Sequence, residues 1–279
     1  MALQSSGAIS IGNLATEFGD STPNSMSEFY RGGSLVGSNN TNVPTSGAID
    51  LSDFYDATAA LVLDITSNTS DYNILTQATA GGYNSATDTT PIIVNVASGV
   101  SVSATSGNPG ITTGALNAAS NVTINVASGA SVCGFNGAQG SSGSSAAGGN
   151  GTNAITFAIT SGTGTYEVSN SGTVGGGSGG GGGGGISGCR QNLVNDKGGS
   201  YCDGSTMCGS NGANGANGAA CQAQNGSAGS AGTYGSGSPS CNVRSPGGGG
   251  AGGTAGKAVE FGGLSVTVTN NGTVHGATS

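Results

Sequence analysis

At 279 residues the chain is long enough for two or three small domains, but only 6% of it is charged and it has no Trp. Its net charge of −8 excludes nucleic acid as a partner, because phosphate binding needs clustered Lys and Arg. Mean hydropathy near zero also separates it from the highly charged disordered chains.

The charge is lopsided. Residues 1–90 carry nine acids against one base, Arg31; beyond them four acids balance Arg190, Lys197, Arg244 and Lys257. Met1 to Ser6 lack the basic start and apolar core of a secretion signal, and no apolar run reaches membrane-spanning length. The expectation is a protein made in the cytosol that stays there or leaves by lysis.

Residues 1–60 contain a repeat. Ser6-Gly7-Ala8-Ile9-Ser10-Ile11-Gly12-Asn13-Leu14 returns as Ser46-Gly47-Ala48-Ile49-Asp50-Leu51-Ser52-Asp53-Phe54. Each copy predicts a short extended piece and then a helical turn, capped by Ser10 or Asn13 in the first and by Asp50 or Ser52 in the second. Between them, residues 24–30 predict a short helix ended by Gly32-Gly33. Leu14, Phe18, Met26, Phe29, Leu51, Phe54 and Tyr55 can form a small core, marginal alone and helped by docking. These blocks resemble an N-terminal module common in tail and tail-fibre proteins of tailed bacteriophages. The resemblance covers about the first 57 residues and implies attachment to other virion tail or fibre proteins.

Residues 61–174 predict β-structure. Ile92 to Val102 alternates at period two in its later half, and Val122 to Val132 repeats it thirty residues on, with Asn-Val-Ala-Ser-Gly in common. Ile155–Ile159 leading to Asn170-Ser171-Gly172-Thr173-Val174, and Val259–Phe261 leading to Asn270-Asn271-Gly272-Thr273-Val274, give a third and a fourth unit. The fold class is therefore mainly β: a small mixed module, then stacked β units forming a short solenoid or a sandwich. Residues 258–279 form a strand pair that returns to the β-repeat domain.

Between the last two units lies the region 175–257. It opens with ten glycines and one serine, Gly175 to Gly185, and about a third of it is glycine. Glycine has nothing to bury and loses the most backbone entropy on ordering. Such a segment is either a coil or a set of extended three-residue-per-turn helices packed backbone to backbone, as in polyproline II but with N–H groups to share. The Asn-Gly-Ala triplets at 211–219 and the anchoring of both ends favour order. Glycine runs then form a scaffold, and the segments at 189–197, 200–208, 233–236 and 240–245 are loops at its ends.

Five of the six cysteines, Cys189, Cys202, Cys208, Cys221 and Cys241, fall in this region and are disulfide candidates, with fifteen pairings open to the six. Cys133 sits in a strand pattern and reads as a reduced thiol. No C-x-x-C is present, which disfavours zinc, and no cofactor is implied.

Catalytic signals are empty or weak. His275 is the only histidine, and the G-x-S-x-G at 176–180 lacks a strand–elbow–helix setting. Asp196 and Asp203 could serve as a carboxylate pair, but solvated acids are the competing reading. The expectation is a non-enzyme. The side chains suited to recognition are Arg190, Gln191, Asn192, Tyr201, Tyr234, Asn242 and Arg244.

The layout of glycine runs at 175–185 and 247–250 with intervening variable segments resembles the distal receptor-recognising adhesins of T-even-type phage tail fibres. The resemblance implies a bundle of polyglycine helices with loops that bind a host-surface glycan or an outer-membrane protein, without membrane insertion. A purely structural tail component is the alternative reading. An ice-binding protein is a third, which the phage-like N-terminus disfavours.

Overall fold

Each Asn-Val-Ala-Ser-Gly element is a corner. It ends the strands Ile92–Val96 and Val122–Val126 and turns the chain into Ser101–Ser103 and Ser131–Cys133. Gly99 and Gly129 sit there at φ of 77° and 79°, the left-handed region that a side chain disfavours. This is a computed structural model; it describes residues 3–21, 24–31, 35, 36, 40–105, 107–159, 161–196, 199–236 and 238–279, with residues 196, 199, 201 and 203 described in the backbone only.

Because the repeated units are equivalent, they lie side by side. Ile92–Val96 pairs with Val122–Val126 in parallel, Ile92 beside Val122 and Asn95 beside Asn125. The same sheet continues with Leu61–Ile65 on one side and with Tyr166–Asn170 and Val266–Asn270 on the other. A second parallel sheet takes Thr69–Ser70, Ser101–Ser103, Ser131–Cys133, Thr173–Gly175 and Thr273–His275. A third takes Tyr72–Asn73, Ile111–Thr112, Ile155–Thr156 and Val259–Glu260. The chain visits the three sheets in turn and advances one strand in each per circuit.

Alternation then decides what is inside. Ile92, Val94, Val96, Val122, Ile124, Val126 and Val168 are buried, and with Val102, Val132, Val174, Ile111, Ile155 and Val259 they form one core. Polar columns run the same way: Asn125 Nδ2 donates to Asn95 Oδ1 at 2.9 Å, and Asn95 Nδ2 to Asp64 Oδ1 at 2.8 Å. The expected strand pair at 258–279 is instead three strands, one per sheet.

The run Gly175–Gly185 is the centre of a second, non-apolar core: every residue in it is buried. From Gly176 to Gly185 each N–H has an acceptor, and the acceptors rotate with a period of three. Gly177, Gly180 and Gly183 donate to the carbonyls of Thr152, Gly149 and Ala146, while Gly179, Gly182 and Gly185 donate to those of Gln224, Ser227 and Ser230. Ser178, Gly181 and Gly184 donate to side-chain Oδ1 atoms of Asn136, Asn217 and Asn214. The Asn-Gly-Ala triplets thus supply asparagine on one row and glycine on the next. The carbonyls of the run accept from Gly134, Gly137 and Gly140, from Gly256, Gly253 and Gly250, and from Gly218, Gly215 and Gly212.

Five segments therefore surround the run, and they approach too closely for side chains. A Cβ on Gly180 would overlap the carbonyl of Ala138, one on Gly182 that of Gly250, and one on Gly184 that of Gly212. Ser178 is tolerated at the body end of its row, where the neighbouring strand of backbone turns away after Gly218. Its hydroxyl accepts from Gln224 N at 3.0 Å and donates to Ala219 O.

The first two surrounding segments come from residues 134–152, ahead of the expected boundary at 175. Glycine at 134, 137, 140 and 143 already has the period of three there. Two successive circuits thus leave the β body between the second and third sheets, and both feed the glycine layer.

Residues 3–60 have their own core of Leu14, Ala15, Phe18, Phe29, Val36, Val43, Phe54 and Ala57. The helix Ile11–Phe18 is capped by Ser10, and the 3-10 helices Met26–Phe29 and Leu51–Phe54 follow Ser25 and Asp50. Phe18, Phe29 and Phe54 meet with ring centroids 6.1 to 6.4 Å apart. The repeat produces a reciprocal contact: Tyr30 Oη donates to Gly47 O and Tyr55 Oη to Gly7 O at 2.6 Å. Leu51, expected inside, is exposed, and Met26 is half-buried. The Gly32-Gly33 helix stop falls outside the described residues.

Candidate functional site

At Gly188 the central run ends and the chain enters an antiparallel sheet. Cys189–Asp196 pairs with Gly199–Cys208 on one side and with Asn242–Arg244 on the other. The segments expected as loops at 189–197 and 200–208 are therefore a hairpin, and 240–245 contributes its third strand. Sequence periodicity missed it because the hairpin has no apolar alternation. Its register breaks between Gln191 and Leu193, and none of its described residues joins either apolar core.

Covalent bonds and backbone pairing replace that core. Cys189 pairs with Cys208 at the base of the hairpin, and Cys202 pairs with Cys241, tying the hairpin to the third strand. The third disulfide, Cys133–Cys221, joins a strand end of the β body to the turn between two glycine segments. Cys133 is thus not the reduced thiol expected from its strand setting. Residue 133 is the last of its strand and the next, Gly134, already belongs to the glycine layer, which brings its sulfur within reach of Cys221 Sγ.

Four of the expected recognition side chains gather at the hairpin base. Arg190 lies over the Tyr234 ring, Cζ 3.5 Å from the centroid, a cation–π contact. Its Nε donates to Asn242 Oδ1 at 3.1 Å. Tyr234 is fixed by backbone bridges to Gly188 and Cys208, and its hydroxyl meets Ser245 Oγ at 3.3 Å. Gln191 pairs through its backbone with Cys241 and Ser238, and its side chain reaches Thr206 Oγ1 at 3.5 Å.

The others separate. Arg244 turns back to the glycine layer, Nε donating to Ser187 O at 2.9 Å and Nη2 to Ser187 Oγ at 3.0 Å. It anchors the sheet to the last residues of the central run. Asn192 is exposed at the register break. Tyr201, Asp196 and Asp203 lie on the hairpin, but their side chains fall outside the described residues, and so does the carboxylate pairing considered for the two acids. Sequence reasoning missed Leu193 and Val243, which are 39% and 54% exposed beside these polar groups, and Met207, directly across from Arg190.

The hydroxyl of Ser178 is buried and engaged on both sides, so the G-x-S-x-G match is a packing feature. Among the described residues no cluster of His, Cys, Asp and Glu could hold a metal ion, and no helix is long and apolar enough to cross a membrane.

Residues 60–279 match the family described as GP38, phage tail fibre adhesin Gp38. The chain belongs to this family of phage tail fibre adhesins. The match covers both the β body and the glycine layer with its tip sheet; the N-terminal module lies outside it. Among solved structures, the chain is similar to that of the gp37-gp38 adhesin tip complex of the bacteriophage S16 long tail fiber. Identity is 19%, 99% of this chain and 100% of that chain are covered, and the TM-score is 0.44. No curated protein matches the chain. As a tail fibre adhesin it is a component of the phage virion.

Proposed function

We propose that this adhesin recognises a receptor on the host cell surface through its tip sheet, and that it does so by binding and not by catalysis. The observation that carries the reading is the placement of Arg190, Asn192 and Asn242 on a sheet whose described residues join no apolar core, with Tyr234 bridged to its base, at the end of a fully buried glycine run. Binding residues tend to lie on such segments when a rigid scaffold holds them. We read the three parallel sheets as the faces of a short solenoid and the glycine layer as a bundle of polyglycine-II-like helices. Parallel registers in every sheet support the first, and acceptors recurring every third residue support the second. At about 3.1 Å per residue, a run from 176 to 188 would hold the tip roughly 40 Å from the β body.

Exchanging Arg190, Tyr201 and Tyr234 together for alanine, with the strut Arg244 kept, is expected to abolish adsorption of the purified chain to host cells, while the melting transition of the β body stays in place. Single hot-spot residues should cost roughly 1–3 kcal/mol of binding and rim residues almost nothing. Unchanged adsorption by the folded triple variant would move the site elsewhere and favour a structural role in the tail.

We assign residues 1–60 to virion attachment, through another tail or fibre protein. Their small core, exposed Leu51 and excess of acids suit a module completed by docking on a basic partner surface. A chain lacking residues 1–57 should still bind host cells but be missing from assembled virions. Its presence in purified particles at the normal level would refute the assignment.

A further inference from the structure

We propose that Arg190 is a carboxylate-binding subsite of the tip, taking an acidic side chain of a protein on the host surface. This rests on the reading of the tip as the receptor-binding end.

Charge separates the tip from the rest of the adhesin. Residues 189–245 carry Arg190, Lys197 and Arg244 against Asp196 and Asp203, in a chain whose net charge is −8. Within that basic region the two arginines are used differently. Arg244 spends Nε and Nη2 on Ser187 and is a strut. Arg190 spends only Nε, on Asn242, and lays the face of its guanidinium on Tyr234. Its two terminal nitrogens have no hydrogen-bond or ion-pair partner among the described residues.

The plane of Arg190 is therefore fixed before any ligand arrives, by a ring that is itself bridged to Gly188 and Cys208. A guanidinium held in this way presents a planar pair of N–H donors, the geometry that matches a carboxylate bidentately. Little side-chain entropy remains to be lost on binding. The cross-strand row Met207, Arg190, Asn242, with Tyr234 on top, holds the residue types enriched at the centres of protein interfaces, Met, Arg and Tyr. Exposed Leu193 and Val243 on the same small sheet add apolar contact area. That composition favours an acidic residue on a protein surface over a phosphate of a surface glycan.

The test is adsorption of the labelled, disulfide-intact full chain to intact susceptible cells. Arg190→Gln should weaken binding by about ten- to a hundredfold, as for loss of a hydrogen-bonded charge pair. Arg190→Lys should fall between the two, because it keeps the charge but loses the fork. In a second arm, surface carboxylates of the cells are amidated with a carbodiimide and glycinamide. Wild-type binding should drop to the level of Arg190→Gln, and Arg190→Gln should drop no further. The fall in wild-type binding on amidation does not depend on the variant folding well. Equal binding by wild type and Arg190→Gln overturns the proposal while leaving the tip as the receptor-binding end. Unchanged wild-type binding to amidated cells, with loss of binding after enzymatic removal of surface phosphate, overturns it in favour of a phosphate ligand. No wild-type binding to untreated cells overturns both this proposal and the reading it rests on.

Discussion

Replacing Gly182 by alanine is expected to collapse the glycine layer and release the tip. A Cβ at this position would overlap the carbonyl of Gly250, and the Gly182 N–H is held by Ser227 O at 2.9 Å. Neither neighbour can give way alone: Gly250 itself donates to the carbonyl of Gly183, and Ser227 to that of Ala216. A methyl forced into packed side chains typically costs 1–3 kcal/mol. Here the obstacle is backbone on several sides, so a loss of about 3 kcal/mol or more is expected. Gly248→Ala is the matched control, since a Cβ there meets nothing within 4 Å. It should change stability by no more than about 0.5 kcal/mol. Thermal melts of the two variants beside the parent chain decide the matter. Equal melting for Gly182→Ala and the parent would mean that the run is not packed backbone to backbone.

The second large effect concerns the tip disulfides. The pairs Cys189–Cys208 and Cys202–Cys241 span 19 and 39 residues. Loop-closure entropy assigns them about 3 and 4 kcal/mol respectively. A domain with an apolar core could lose one and survive, but no described residue of the hairpin belongs to such a core. Replacing all four cysteines by serine is expected to leave the main melting transition of the body within a few degrees of the parent. Adsorption to host cells should be lost, and trypsin should cut after Arg190. Cys133–Cys221 spans 88 residues and pins the glycine layer to the body, so its removal should instead lower the main transition. Full adsorption by the four-serine chain would show that backbone pairing alone orders the tip.

Much of this architecture was legible in the residues because short repeats encode it. Asn-Val-Ala-Ser-Gly appears twice because a corner needs glycine at one left-handed position, and the Ile and Val before it alternate because one face of each strand is inside. Even the period of three at Asn211 to Ala219 carries physical content, with asparagine Oδ1 accepting from one row of the central run and glycine permitting contact with another. The ten-glycine run itself gives no clue to its partners, since identical residues have no register. For that reason the sequence alone places residues 134–152 in the β body, although Gly134, Gly137, Gly140 and Gly143 keep the same period. The tip was the least legible part. Its strands follow from disulfide pairing, which spacing does not determine, and from a register break at Asn192 that no local pattern announces. The distinction between Arg190 and Arg244, one whose terminal nitrogens have no partner among the described residues and one bound to Ser187, is likewise invisible before the chain is folded.

The central claim is that a glycine run forms a buried core and thereby holds the tip in place. Native-state hydrogen exchange of the amides from Gly176 to Gly188 tests it most directly. With each N–H from Gly176 to Gly185 on a named acceptor and the run enclosed by five segments, exchange there should be slowed on the order of a thousandfold or more relative to an unstructured peptide, and in step with the strands of the β body. Exchange at the unstructured rate throughout 176–188, beside a protected β body, would contradict the account.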